Sequence, residues 1–277
     1  MSFVEYQPAP DLQDHIAAYW VANTAPNTAG AVSGRRVYAD GCTDLICNAG
    51  QSTAYFYPMA GQGKRIALMP GQLYLGGTMT SYGVLTSEEG CVLTGIRFLP
   101  GGFYAWFGNG VAQAVDSVLE FPEQMLRAVM VDESSLEAKL NTWFLDKTTG
   151  QDKRACDFLL LRKLMYESQG QVSVQQLARQ VNMSIRTLQR LFKKNVGIPP
   201  KDFLRIVRFQ QVLTHLHAVA AQNDSSINVN ESLLGIAFEL GYYDHAHLTH
   251  EFKKYAGVLP SELSHFYKTR ISAGQYF

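Results

Sequence analysis

The 277-residue chain has only four cysteines, and they form no CxxC pair and no spaced Cys/His cluster. Neither a disulfide framework nor a structural zinc site is therefore expected. The first residues, MSFVEYQPAPDLQD, lack a basic stretch followed by an apolar run, so no signal peptide is evident. No window approaches the roughly 20 apolar residues that span a bilayer. No membrane is expected as a partner, and a reducing cytoplasm is the expected location. Histidine is nearly missing from residues 1–150, which hold His15 and no other. That leaves no ligand set for a metal-binding β-barrel and no Ser/His/Asp group for a hydrolase. No catalytic residue, metal or cofactor is expected, and the chain is not expected to be an enzyme.

What is present is divided unevenly. The net charge is zero, from 24 Lys+Arg and 24 Asp+Glu, but residues 1–150 hold 8 basic against 14 acidic residues and residues 151–277 hold 16 against 10. A net −6 half joined to a net +6 half points to two domains, with a nucleic-acid partner on the basic side. Glycine follows the same division, with 17 of 23 in residues 1–150.

The glycine-rich half reads as short strands broken by turns: Arg35–Ala39, Thr43–Asn48, Thr53–Tyr57, Gln72–Leu75, Tyr82–Leu85 and Cys91–Phe98. Asp40-Gly41, between the first two, is predicted as a hairpin turn because both residues tolerate positive φ. Strands at this spacing predict an antiparallel β-barrel or sandwich. Trailing helices are predicted at Pro122–Val131 and Glu133–Phe144, and the pattern is helical from Asp152 to about Tyr267. The expected domains are residues 1–148 and 152–270, with the boundary in the polar stretch Asp146–Lys153.

The basic half repeats itself. Leu188, Phe192, Lys193-Lys194, Gly197 and Pro200 recur as Leu248, Phe252, Lys253-Lys254, Gly257 and Pro260, all at one offset of 60. Each copy reads as helix–turn–helix. In the first, Ser173 and Gln176 form a capping box, Val174, Leu177 and Val181 face inward, and Asn182-Met183 is the turn. Ser184 caps a second helix with Ile185, Leu188, Leu191 and Phe192 inward, leaving Arg186, Gln189, Arg190 and Lys193 in solvent. In the second copy Leu233, Ile236, Ala237 and Leu240 build the first helix and Gly241 ends it. Asp244 caps the next, with Leu248 and Phe252 inward and His245, His247, His250 and Lys253 outward. Between the copies, Pro199–His217 predicts one helix of roughly 28 Å, a strut on which two recognition helices could enter major grooves about 34 Å apart.

Ser184-x-Arg186-x-Leu188-x-Arg190-x-Phe192 with Gly197-x-Pro199-Pro200 resembles the first motif of AraC/XylS-type regulators. Ile236-Ala237-Phe238-Glu239-Leu240-Gly241-Tyr242-Tyr243-Asp244, with Phe252-Lys253-Lys254 and Gly257-x-x-Pro260, is similar to the second, and the resemblance covers about residues 152–270. Arg36–Ile46 and Gly95–Gly102 resemble the cupin-like sensing domains of one subgroup. The resemblance implies a cupin-like N-terminal sensing or dimerising domain and an all-α domain that binds double-stranded DNA. It further implies a small-molecule effector, a homodimer and RNA polymerase as partners. Three features depart from the family pattern: His250 replaces a basic residue, Ala221–Glu231 is a longer polar loop, and Ser264-His265 stand where arginine is common.

The expected DNA-binding residues are Arg186, Gln189, Arg190, Lys193, His245, His247, His250 and Lys253. Arginine and glutamine suit bidentate contacts to guanine and adenine edges, whereas Lys193 and Lys194 suit phosphates. His247 and His250 could share a metal at i,i+3, but one helix then supplies only two ligands. Cys42 and Cys47 are either a sensor thiol pair or inert, and Cys156 reads as core. The 18 aromatics of residues 1–150 serve equally as pocket lining or as sheet core. Arg97 either clamps an anionic ligand or, more simply, pairs with Asp40 or Asp44. The stripe Leu136, Leu140 and Trp143 either meets a twin helix or packs on its own sheet. The alternative to a regulator is an N-terminal thiol-dependent enzyme or repair domain fused to a DNA-targeting module.

Overall fold

The computed structural model describes residues 2–24, 34–60, 64–87, 91–147, 155–221 and 229–263. Among the described residues, ten strands form two antiparallel sheets: β1 (Ser2–Tyr6), β2 (Ile16–Thr24), β3 (Arg35–Val37), β4 (Thr43–Asn48), β5 (Ala54–Pro58), β6 (Ile66–Leu68), β7 (Leu73–Gly76), β8 (Gly83–Ser87), β9 (Cys91–Phe98) and β10 (Val118–Glu120). The larger sheet has the order β1-β2-β9-β4-β7-β10, the smaller β3-β8-β5-β6. Alternation along β2 shows how the layers are made. Trp20 and Ala22 face the smaller sheet and meet Phe56, Leu68 and Leu93, while Tyr19 and Val21 face the other way. That outer face is covered by helices α1 (Gly102–Phe107), α2 (Gln124–Val131) and α3 (Leu136–Leu145).

Most of the aromatics of residues 1–150 are core. Phe98, Phe103, Phe107, Trp143 and Phe144 interlock between sheet and helices, with ring centroids 4.8–6.3 Å apart. Leu136 and Leu140 are buried against the same sheet and Trp143 packs beside them, so the α3 stripe covers its own domain rather than a twin.

The hairpin predicted at Asp40-Gly41 does not form. β3 pairs with β8 in the smaller sheet, whereas β4 lies between β9 and β7 in the larger one. The turn chemistry itself is as expected: Gly41 has φ +79°, and the Asp40 carboxylate accepts the Cys42 N–H at 2.9 Å. The turn carries the chain from one sheet to the other because turn residues fix local direction and not the pairing partner.

The helical part comprises α4 (Ala155–Glu167), α5 (Val174–Gln180), α6 (Ile185–Asn195), α7 (Pro200–Ala221), α8 (Val229–Glu239) and α9 (His245–Ala256), around a core that also takes in Ala39. Residues 148–153 of the expected boundary lie outside the described residues, as does the Cys156 side chain. The two parts meet closely. The Gln210 amide donates to the Ala39 carbonyl at 2.5 Å, and Arg162 donates to the carbonyls of Asp14 at 2.8 Å and Pro100 at 3.3 Å. Among the described residues no helix is long and apolar enough to cross a membrane.

His15 lies at this junction, 6% exposed, edge-on to Trp106. Burial, aided by the Arg162 charge and opposed by Asp14, holds its imidazole below the ordinary 6.5. The unfolded chain then takes up this proton more readily than the folded one, and stability is lost as pH falls through and below that value. Thermal melts at about pH 7.5 and about pH 5.5 should show a drop in Tm that His15→Gln reduces. An undiminished drop in the variant would exclude His15 as its source.

Candidate nucleic-acid interface

The first helix–turn–helix begins as the sequence dictates. The Ser173 hydroxyl accepts the Gln176 N–H at 3.2 Å, and the Ser173 N–H donates to the Gln176 side-chain oxygen at 3.0 Å. Asn182 turns the chain at φ +53°, a conformation its short polar side chain tolerates. The Ser184 hydroxyl then accepts the Thr187 N–H at 3.1 Å and starts α6. Leu188 and Phe192 are buried, and Arg186, Gln189, Arg190 and Lys193 are exposed, as the 3.6-residue period requires. Ile185 departs from expectation. It is 41% exposed, because the first residue of α6 stands a full turn outside Leu188, where the helix projects from the core.

In the second unit Gly241 ends α8 at φ +71° and the Asp244 carboxylate accepts the His247 N–H at 2.7 Å. Leu248, Phe252 and Tyr255 are buried, while His250 and Lys253 are exposed. His247 stands at the edge of this face, its side chain 39% exposed, whereas His245 turns away from it. At about 100° per residue, His247 lies about 60° and His245 about 140° from His250 around the helix. Both are half-buried. His247 stands edge-on to Tyr242, accepts the Tyr243 N–H at Nδ1 (3.3 Å), and has Nε2 3.8 Å from Glu251. The His245 Nε2 is buried without a hydrogen-bond partner. Among the described residues no group of three or more His, Cys, Asp or Glu could hold a metal ion.

Between the units runs α7, whose 22 residues span about 33 Å, longer than predicted at its C-terminal end. It carries one aromatic joint for each unit. Phe203 packs on Phe192 of α6 at 5.8 Å, and Phe209 packs on Phe252 and Tyr255 of α9 at 5.2 Å each. Arg205 pairs with buried Glu251 at 3.2 Å and with Asp202 at 3.4 Å. Arg208 donates to the Gly241 carbonyl at 3.3 Å and lies over the Tyr242 ring. These anchors were missed in the sequence, although Glu251 gave a signal: a carboxylate beside Phe252 on the inward stripe needs a cation. Of the polar stretch before α8, residues 222–228 lie outside the described residues, while Val229–Glu231 already belong to the helix. Ser264 and His265 also lie outside them.

The lysines divide. Lys193 donates to the Gly197 carbonyl at 3.2 Å, favourable at a helix C-terminus, with its side chain still exposed. Lys194, expected at phosphate, lies over the Tyr104 ring of the N-terminal domain at 4.8 Å.

The N-terminal residues weighed for chemistry are occupied structurally. Arg97 pairs with Asp44 at 3.3 Å and Asp40 at 3.6 Å, and the Trp20 indole N–H donates to Asp44 at 2.9 Å. Burial pushes the Cys42 thiol well above its ordinary range and that of Cys47 up to about 11. Both are held as thiols, the unreactive form, and no hairpin brings them together.

A family model described as a helix-turn-helix domain matches residues 177–265, from α5 to just beyond α9, so it spans both units. The C-terminal domain is of the AraC/XylS type. The chain is similar to an uncharacterized HTH-type transcriptional regulator of Haemophilus influenzae, 31% identical over 112 residues. That match covers 40% of the chain and 34% of the relative. It is also similar to the XylDLEGF operon transcriptional activator of Pseudomonas putida, 31% identical over 91 residues, covering 33% of the chain and 26% of the relative. The chain thus spans about a third or less of the curated relatives it matches. Residues 4–120 match a domain of unknown function, DUF6597. Among solved structures the chain is similar to ToxT from Vibrio cholerae, at 10% identity and a TM-score of 0.49, covering 96% of this chain and 98% of that one.

Proposed function

We propose that this chain is a sequence-specific DNA-binding transcription regulator. Its AraC/XylS-type domain docks α6 and α9 in adjacent major grooves of one duplex, and its N-terminal domain, residues 1–148, senses or dimerises. The observation that carries the reading is the paired helix–turn–helix on one rigid strut, with Arg186, Gln189 and Arg190 standing free in solvent on a helix whose first turn is already capped. In this reading Arg186, Gln189 and Arg190 read base edges, Lys193, His247, His250 and Lys253 meet phosphate or weaker base contacts, and His245 braces α9 from its other side. Ile185, exposed beside Arg186, offers an apolar surface to a thymine methyl.

A role for the N-terminal domain in control is supported by its direct contacts with α4, α6, α7 and α9, through which a change in one part reaches the other. A small-molecule effector or a second copy of the chain would act there, and RNA polymerase is the further partner of an activator. Thiols that burial holds in the protonated form favour this reading over the thiol-enzyme fusion. A cytoplasmic location follows from a DNA partner.

Selection of bound duplexes from a random pool tests the proposal. The expected product is two conserved blocks about one helical turn, or 10–10.5 base pairs, apart. Enrichment of no motif, or of one block alone, would count against two readers on one duplex.

A further inference from the structure

The N-terminal domain touches both helix–turn–helix units, and it does so at equivalent points of the repeat. Gly197 follows the C-terminus of α6 and Gly257 that of α9, with φ of +84° and +74°. Each offers a bare Cα to the other domain. A Cβ on Gly197 would lie 2.6 Å from a Val115 methyl and 3.1 Å from the Ala112 Cα, and one on Gly257 would lie 2.4–2.6 Å from three carbons of the Tyr82 ring. Beside Gly257, the Ser81 hydroxyl donates to the Lys254 carbonyl at 3.0 Å. The contacting residues belong to two segments, 77–82 between β7 and β8 and 108–117 between α1 and β10.

These two segments are fastened to each other. Asp116, at φ +52°, accepts the Thr80 N–H on one carboxylate oxygen and the Thr80 hydroxyl on the other, both at 2.6 Å. Its own N–H donates to the Thr78 carbonyl at 3.1 Å, and the Gly77 N–H donates to the Ser117 carbonyl at 3.2 Å. The two seats, one under each recognition helix, are thereby parts of one platform. The C-terminal end of each recognition helix is therefore held from two sides, by an aromatic joint on α7 and by the platform of the N-terminal domain. The platform thus ties the two recognition helices to each other through the N-terminal domain, in addition to the helical core they share. The platform closes the frame.

We infer that this platform sets the spacing of the two DNA blocks that the protein accepts, and that Asp116 is the positioning residue that holds its halves together. The inference rests on the reading of α6 and α9 as the two DNA readers. Successive base pairs are turned by about 34° at 10.5 per turn, so a small relative roll of the two helices changes which spacing both can engage. Two linked readers gain avidity only where geometry lets both bind at once, which makes spacing selectivity a direct readout of the frame.

The test uses the full chain and duplexes carrying the two selected blocks at the best spacing and at one and two base pairs longer or shorter, with a single-block duplex as control. The wild-type protein is expected to prefer one spacing by about tenfold over its one-base-pair neighbours. Asp116→Ala is expected to flatten that preference to within about threefold while single-block affinity is kept. Tyr82→Ala, which removes the seat under Gly257 and leaves the staple intact, should flatten it as well, so the result does not depend on one variant folding. Circular dichroism melts confirm which variants are folded. A folded variant with the wild-type spacing profile overturns the inference. A wild-type chain that binds each block yet ignores spacing overturns it while leaving the regulator function intact, whereas one that binds neither block overturns both.

Discussion

Replacing Arg186 or Arg190 with alanine is expected to weaken binding to the cognate duplex by about 1–3 kcal/mol and to relax base preference at the positions each contacts. Both side chains are exposed on the face of α6 opposite buried Leu188 and Phe192, so neither substitution disturbs the core. A guanidinium presents two parallel N–H donors to the O6 and N7 of guanine, a match alanine leaves unmade. Lys193→Ala supplies the contrast: uniform weakening across sequences, with the salt slope reduced by about one. Anisotropy titrations on the selected site and its single-base variants check both. Cognate affinity unchanged within about twofold in both arginine variants would remove α6 from the role of base reader.

Phe209→Ala should cost about 3–5 kcal/mol of stability, the usual range for deleting a fully buried ring. Phe209 is fully buried on α7, with Phe252 and Tyr255 of α9 packed on it, and the cavity would open at the joint that holds the second unit. Such a loss is a large part of an ordinary domain's margin of about 5–15 kcal/mol. Urea denaturation followed by circular dichroism measures it, and Phe209→Leu should retain much of the stability because most of the volume is kept. A loss below about 1 kcal/mol for the alanine variant would show that α9 is not held by this joint.

The second half of the chain was legible because several independent signals agreed there. Ser173 with Gln176, Ser184 and Asp244 marked helix starts, Gly241 marked a stop, and the 60-residue offset doubled each observation. The structure reproduces all of these. The errors lay where a local signal was asked to fix something non-local. Asp40-Gly41 specified positive φ correctly but not which sheet the next strand would join. β1 and β2 were missed because the run Ile16–Thr24 has no glycine or proline to mark its ends, and α1 because six residues, Gly102–Phe107, are too few to show a period. His245 and His247 are turned about 200° from each other around the helix, so only one could stand outward, and the structure turns His245 away. The contacts of Gly197 with Val115 and of Gly257 with Tyr82 were beyond reach, since they join segments more than 80 residues apart and a glycine shows nothing of what approaches it.

The serine and aspartate caps have a thermodynamic consequence. Ser184 and Asp244 satisfy first-turn amides of α6 and α9 from within the chain, so both rods exist before any duplex arrives. Association need not organise a disordered segment, and its heat-capacity change reports the surface buried at the contact rather than folding induced by it.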